Sequence, residues 1–211
     1  MILASQSPRR RELLEAAGFE LRVVPASIDE ARRAGEGPVA LVERLAREKA
    51  AAVADRLGDE AGGEPVVAAD TIVWTDDGAV LGKPADDADA ARMLRELSGR
   101  THHVSTGVCL LAPARDGHRA RQSFVETTDV TFWELTDAQV DAYVASGEPA
   151  DKAGAYGIQG AGRMLVRGIR GDYENVVGLP VARLVRELSE LLGAGGDDLV
   201  ARSIRMGGPL A

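Results

Sequence analysis

Met1-Ile2-Leu3-Ala4-Ser5-Gln6-Ser7-Pro8-Arg9-Arg10-Arg11-Glu12-Leu13-Leu14 changes character at its middle. The first four residues are apolar and read as a short strand. Ser7-Pro8 then reads as a helix start, with Ser as N-cap and Pro at the first helical position. The helix predicted to follow carries Leu13, Leu14 and Ala17 on its apolar side and stops at Gly18. A strand that passes so quickly into a helix is a building unit of α/β folds, and the question for the rest of the chain is whether the alternation continues.

It does. Phe19–Val24 alternates as a strand, and Ser27–Gly37 is polar loop. Pro38–Leu57 places Leu41, Val42, Leu45, Val53 and Leu57 at helical spacing. After a turn-rich connector at Asp59–Glu64, Pro65–Trp74 is an apolar strand interrupted by Asp70 and Thr71. Asp76-Asp77-Gly78 is a hairpin signal leading to a short strand at Val80-Leu81. Asp87–Leu97 is helical and ends at Ser98-Gly99. Val104–Leu111 and Gln122–Trp133 are strands flanking a polar turn near Asp116-Gly117. Thr136 caps a helix to about Val144, Gly147–Gly162 is glycine-rich without periodicity, Met164–Ile169 is a strand, and Pro180–Leu192 is an amphipathic helix. The hairpins imply a mixed rather than purely parallel sheet with flanking helices. Residues 1–192 read as one domain, and 193–211 as a frayed, flexible tail.

Composition narrows the function. A formal net charge of −8 disfavours binding to a nucleic-acid polymer, which needs clustered positive charge. A local cationic site for one small anion remains compatible with it. The single cysteine, Cys109, lies in an apolar stretch and reads as a packing residue, since it can make no internal disulfide. Neither a signal-peptide core nor an apolar run of membrane-spanning length is present, so a cytoplasmic protein without a membrane partner is expected.

Four clusters carry chemistry. In Ser5-Gln6-Ser7-Pro8-Arg9-Arg10-Arg11, a helix start with free N–H groups and three arginines favours an anion, although a capped surface helix with solvated arginines would look the same. In Ala68-Ala69-Asp70-Thr71-Ile72-Val73, the carboxylate of an apolar strand needs a partner if buried, and so is a candidate general base or metal ligand. The alternative is a strand-end Asp facing solvent. Glu30 is the nearest candidate second carboxylate. Lys83, in Leu81-Gly82-Lys83-Pro84, sits in a stiff turn where it could neutralise a phosphate. Gln159, in the pliable loop Asp151–Gly160, offers the donor and acceptor that reading a base edge requires, though a plain surface loop has the same composition. His102 and His103 are adjacent and would face opposite sides of a strand, and His118 lies in a turn; the three do not make a zinc set.

Taken in order, these clusters resemble the Maf family. The matching stretches are Leu3–Leu14, Ala69–Val73, Leu81–Pro84, Leu97–His102, Ser105–Val108, Asp151–Gly160 and Tyr173–Pro180. The resemblance implies a two-lobed α/β fold around a cleft, similar to inosine triphosphate pyrophosphatases. It also implies a nucleotide pyrophosphatase that uses a divalent cation, magnesium or manganese. By resemblance Asp70 is the catalytic acid–base, Glu30 (with Asp70) meets the metal, Lys49 meets phosphates, and Ser5, Arg9 and Arg10 form the phosphate-binding start. Arg10, Thr71, Lys83 and Gln159 look like the dTTP/UTP-preferring branch, and a homodimer is what the family suggests. Two other readings stand beside this one: a nucleotide-binding regulator of septum formation with little catalysis, and a house-cleaning enzyme for modified pyrimidine nucleotides.

Overall fold

The computed structural model describes residues 1–113, 119–193 and 198–207. In chain order these form β1 (Ile2–Leu3), α1 (Pro8–Ala16), β2 (Arg22–Val23), α2 (Pro38–Leu57), β3 (Val66–Trp74), β4 (Val80–Leu81), α3 (Asp87–Leu97), β5 (Thr101–Pro113), β6 (Arg119–Phe132), α4 (Asp137–Ala145), β7 (Val166–Arg170), α5 (Tyr173–Val177), α6 (Val181–Leu191) and α7 (Leu199–Met206). The strands make one mixed seven-stranded sheet of order β2-β1-β3-β5-β6-β7, with β4 also paired to β3. Pairing is parallel for β1 with β2 and β3, and antiparallel for β3 with β4 and for β6 with β7. The mixed α/β class expected from the alternation is what is found. The turn expected near Asp116-Gly117, with His118, lies outside the described residues.

Contacts divide the chain into two units, so that β3, β5 and β6 each contribute to both. The first comprises Met1–Asp70, Thr106–Val125 and Gly178–Ala211. Its core sets Ala46, Ala50 and Val53 of α2 together with Ile2, Val66, Ala68 and Cys109. Small side chains on both helix and strands allow a close approach, and Gly107 carries this furthest. A Cβ there would lie 2.2 Å from the Val42 carbonyl oxygen, so α2 rests on bare backbone of β5. Cys109 is fully buried, as its apolar neighbours imply.

The second unit comprises Thr71–Ser105 and Glu126–Val177. Its core joins Met93, Leu94 and Leu97 of α3 to Val104, Val130, Phe132, Val140 and Tyr156. Thr136 and Gln139 form a reciprocal capping box at the start of α4. His102 is buried here, its Nε2 2.8 Å from the Tyr156 hydroxyl and its ring edge-on to Phe132. His103, on the other face of β5 as alternation requires, meets Asp129 through Nδ1 and Asp76 through Nε2, each at 2.8 Å. The Asn175 side chain of α5 donates to Val104 O and Thr128 Oγ1, both at 3.0 Å, which makes the Tyr173–Pro180 motif in part a clamp on the sheet.

Several elements differ from the sequence expectation, β6 and β7 by a shift of their ends to Arg119–Phe132 and Val166–Arg170. β2 is two residues rather than Phe19–Val24, because Phe19 N–H still closes the end of α1 on Leu14 O and is not available to a ladder. β5 begins at Thr101 instead of Val104. α5 is a single short helix with Asp172 Oδ1 accepting from Glu174 N and Asn175 N, too brief to show periodicity. Where a frayed tail was expected, α7 forms with Asp198 as its cap and packs on α6, and its Met206 lies against Gly18 at the end of α1.

Two outcomes follow from this packing. Gly107→Ala should cost about 1–3 kcal/mol, read as a lower urea midpoint, because the new methyl meets a helix carbonyl rather than a yielding side chain; an unchanged midpoint would mean α2 can shift at no cost. Burial, with a smaller push from His103, holds the His102 imidazole down to about 3. The unfolded chain therefore binds the proton first, and stability should fall by up to about 1.4 kcal/mol per pH unit between about pH 6.5 and 3. NMR titration of the folded protein should find this ring neutral from pH 8 to pH 5, and a titration near 6.5 would contradict its burial.

Candidate active site

The site is built around a strand that is too apolar for its own acid. Val66–Ala69 of β3 are fully buried, and Asp70 follows them at 8% exposure. A carboxylate there needs a counter-charge. The Lys49 ammonium supplies it, donating to Asp70 Oδ1 at 2.6 Å, with a side chain only 11% exposed. The same Nζ lies 2.8 Å from Glu30 Oε1, so one ammonium bridges two carboxylates. Glu30 is the more exposed, with 59% of its side chain open to solvent.

Nothing regular holds Glu30, yet its loop is anchored. Arg44, one turn before Lys49 on α2, pairs with Glu36 at 2.6 Å and donates to the Ala31 carbonyl at 3.0 Å. The Glu36 carboxyl is pushed down to about 2, chiefly by the hydrogen bond from Arg44. The sequence reading missed this anchor. Its only trace was an Arg five residues before Lys49 on a helix otherwise rich in Arg and Glu.

The start of α1 completes the charged cluster. Ser7 Oγ caps the helix by accepting from Arg10 N at 3.4 Å, and Ser5 Oγ accepts both from Ser7 N and from Arg10 Nη1 at 3.2 Å. Arg10 Nε donates to Gly178 O at 2.9 Å, so the half-buried guanidinium is braced from two ends of the chain. Burial lowers its pKa; Asp70 raises it, Arg9 lowers it and Glu30 raises it, which places all four charges in one field. Arg10 stays charged at any physiological pH. The first unit thus brings together Ser5, Arg9, Arg10, Glu30, Lys49 and Asp70.

Among the described residues no group of three or more acidic, His or Cys side chains could hold a metal by itself. Two carboxylates do fit a hard cation that keeps most of its coordination for water and substrate oxygens, as magnesium does with phosphates. The remaining candidates belong to the second unit. Thr71 is half-buried on β3, Lys83 is exposed in the bend after β4, and Gln159 is half-buried at the start of a 3-10 turn, Gly160–Met164. Lys83 and Gln159 make no hydrogen bond or ion pair among the described residues. Their loops are tied by Gly154 N, which donates to Gly82 O at 3.0 Å. An open depression of about 560 Å³ in the same unit, lined by Thr75, Asp76, Glu96 and Arg100, contains none of the candidate residues. No helix of the described residues is long and apolar enough to cross a membrane.

The family model described as Maf-like protein matches residues 1–191. The chain is 50% identical over 190 residues to a Bacillus cereus protein named dTTP/UTP pyrophosphatase, covering 90% of this chain and 94% of that one. A Bacillus anthracis protein of the same name matches with the same identity and coverage. Among solved structures, the Staphylococcus aureus Ham1 protein aligns at TM-score 0.44 and 14% identity, covering 62% of this chain and 70% of its own. A Mycobacterium abscessus nucleoside-triphosphatase / dITP/XTP pyrophosphatase aligns at TM-score 0.40 and 21% identity over 92% of this chain and 98% of its own.

The unequal exposure of the two carboxylates separates their energetics. Lys49→Met should cost about 3 kcal/mol, the low end for stranding a buried charge, whereas Glu30→Gln should cost less than about 1 kcal/mol. Equal losses in chemical denaturation would show that Asp70 is not the partner Lys49 chiefly serves.

Proposed function

The chain belongs to the Maf-like protein family, and from that premise we propose that it hydrolyses nucleoside triphosphates, dTTP and UTP foremost, to the monophosphate and pyrophosphate. The observation that carries this reading is the joining of Asp70 to Lys49 beside the arginine-rich start of α1. A buried acid in a cationic setting suits attack on a polyanion. The negative oxygens of a triphosphate repel a nucleophile, so cations supply much of the catalysis and a positioned base supplies the rest.

In this reading Asp70 accepts a proton from a water that attacks the α-phosphorus. The bond from that phosphorus to the bridging oxygen of the β-phosphate breaks, pyrophosphate leaves, and the nucleoside monophosphate keeps the water's oxygen. Arg9, Arg10 and Lys49 neutralise the phosphates, Arg10 from a guanidinium already braced by Ser5 and Gly178. Glu30 and Asp70 would hold magnesium or manganese, which lowers the charge of the triphosphate when bound. The resemblance assigns Arg10, Thr71, Lys83 and Gln159 to the preference for pyrimidine bases, and leaves modified pyrimidine nucleotides within reach, because one extra methyl changes discrimination by only ~1–3 kcal/mol. A cytoplasmic setting, where such triphosphates are made, suits this activity.

A panel of triphosphates with magnesium or manganese should yield monophosphate and pyrophosphate, most rapidly from dTTP and UTP. Diphosphate plus orthophosphate would mean attack at the γ position and a different mechanism. Asp70→Asn should lower turnover about 10²–10⁴-fold, the usual contribution of a general base, with the fold retained. Tight nucleotide binding without turnover in the unaltered protein would instead favour the regulatory reading.

A further inference from the structure

The loop that carries Gln159 is glycine-rich, and its sequence reads as pliable. Its structure is the opposite. At one end Gly157 N donates to the Tyr143 hydroxyl at 3.1 Å. At the other, Ala161 N donates to both carboxylate oxygens of Glu148, at 3.0 and 3.2 Å. Tyr143 belongs to α4 and Glu148 to the 3-10 turn Glu148–Asp151 that follows it, so both ends are fastened to one short stretch of chain.

The glycines sit where a Cβ would meet neighbouring atoms. A Cβ at Gly157 would lie 2.8 Å from Cε of Lys152, whose Nζ is itself fixed to Glu148 O and Asp151 Oδ1 at 2.7 Å each. Gly160 has φ +61, and a Cβ there would lie 2.8 Å from Glu148 Oε1. A Cβ at Gly162 would fall 2.0 Å from Gly157 O and 2.8 Å from the Tyr143 hydroxyl. Gly160 thus lies against Glu148, Gly162 against Tyr143 and the Gly157 backbone, and Gly157 against Lys152. Gln159 stands between the two fastened ends with an extended backbone, φ −81 and ψ 174. Its amide has no partner among the described residues.

The chemistry of the brace is well matched. Glu148 accepts from backbone N–H groups, and these bonds, Ala161 first, hold its carboxyl below the usual carboxylate range, so it remains the acceptor-only form that the turn needs. Charge-assisted bonds from a carboxylate to backbone N–H are the stronger kind. We propose that Glu148, with Tyr143, is a positioning residue that holds the Gly157–Gly162 turn rigid and so sets the aim of Gln159 at the nucleotide base. This rests on the assignment of Gln159 to base preference. Fixing a side chain that must both donate and accept is where rigidity matters most, since a mobile amide loses discrimination to the entropy of ordering it.

The test combines a structural and a kinetic reading on the full chain. In Glu148→Ala, amide hydrogen exchange across Gly157–Gly162 should rise while exchange in α2 and α6 stays as it was. The ratio of UTP to GTP kcat/KM should fall roughly 2- to 10-fold, the span of one net hydrogen bond. Glu148→Gln, which can still present one acceptor oxygen, should restore most of both. Gln159→Ala should lower the same ratio, and adding Glu148→Ala to it should lower it no further. Unchanged exchange in Glu148→Ala, or additive effects of the two substitutions, would overturn the proposal. Raised exchange in Glu148→Ala with an unaltered ratio in Gln159→Ala would support the brace and sink only the assignment of Gln159.

Discussion

One buried acid organises the first unit. Asp70 ends a fully apolar run of β3, and an ionised carboxylate in such a place is costly without a cation against it. Lys49 reaches it from α2, which lies close to the sheet where Ala46 and Ala50 face the strands and where Gly107 exposes bare backbone beneath Val42. The glycine of a strand and the lysine of a helix thus serve the same pair. The second contact of Lys49, with Glu30, is made possible by Arg44, which pins the irregular segment to the same helix.

The charged groups show a graded design. Asp70 and Lys49 are nearly closed off, Arg10 is half-buried and braced by neutral acceptors, and Glu30 is open. Buried pairs keep their geometry because breaking them is expensive, while exposed carboxylates move and exchange partners cheaply. The second unit solves a different problem. Its candidate residues are a threonine, an exposed lysine and a glutamine on a turn hydrogen-bonded at both ends.

Much of this was legible beforehand. α2 and α3 appear at the residues that their periodicity and end signals mark, and Ser7-Pro8 caps α1 as read. The misreadings share a cause. β2 was overdrawn because apolar alternation does not reveal that Phe19 is still engaged by the helix before it. α5 was missed because one turn carries no period, and α7 because its apolar residues sit among glycines and charges and none of them is buried.

The order of motifs in the chain was sufficient to indicate an α/β protein, an arginine-rich capped helix start and an acid in need of a partner, since these depend on local spacing and on the cost of burying charge. What only the tertiary structure decided is who the partners are. Glu30 and Lys49 meet although 19 residues apart in sequence, and Arg10 rests on a carbonyl 168 residues away. The Gln159 turn, which composition suggests is loose, is hydrogen-bonded to a carboxylate that the sequence places well before it. Spacing constrains what lies on one element, but contacts between elements are selected by packing of the whole chain, and no local pattern carries that information.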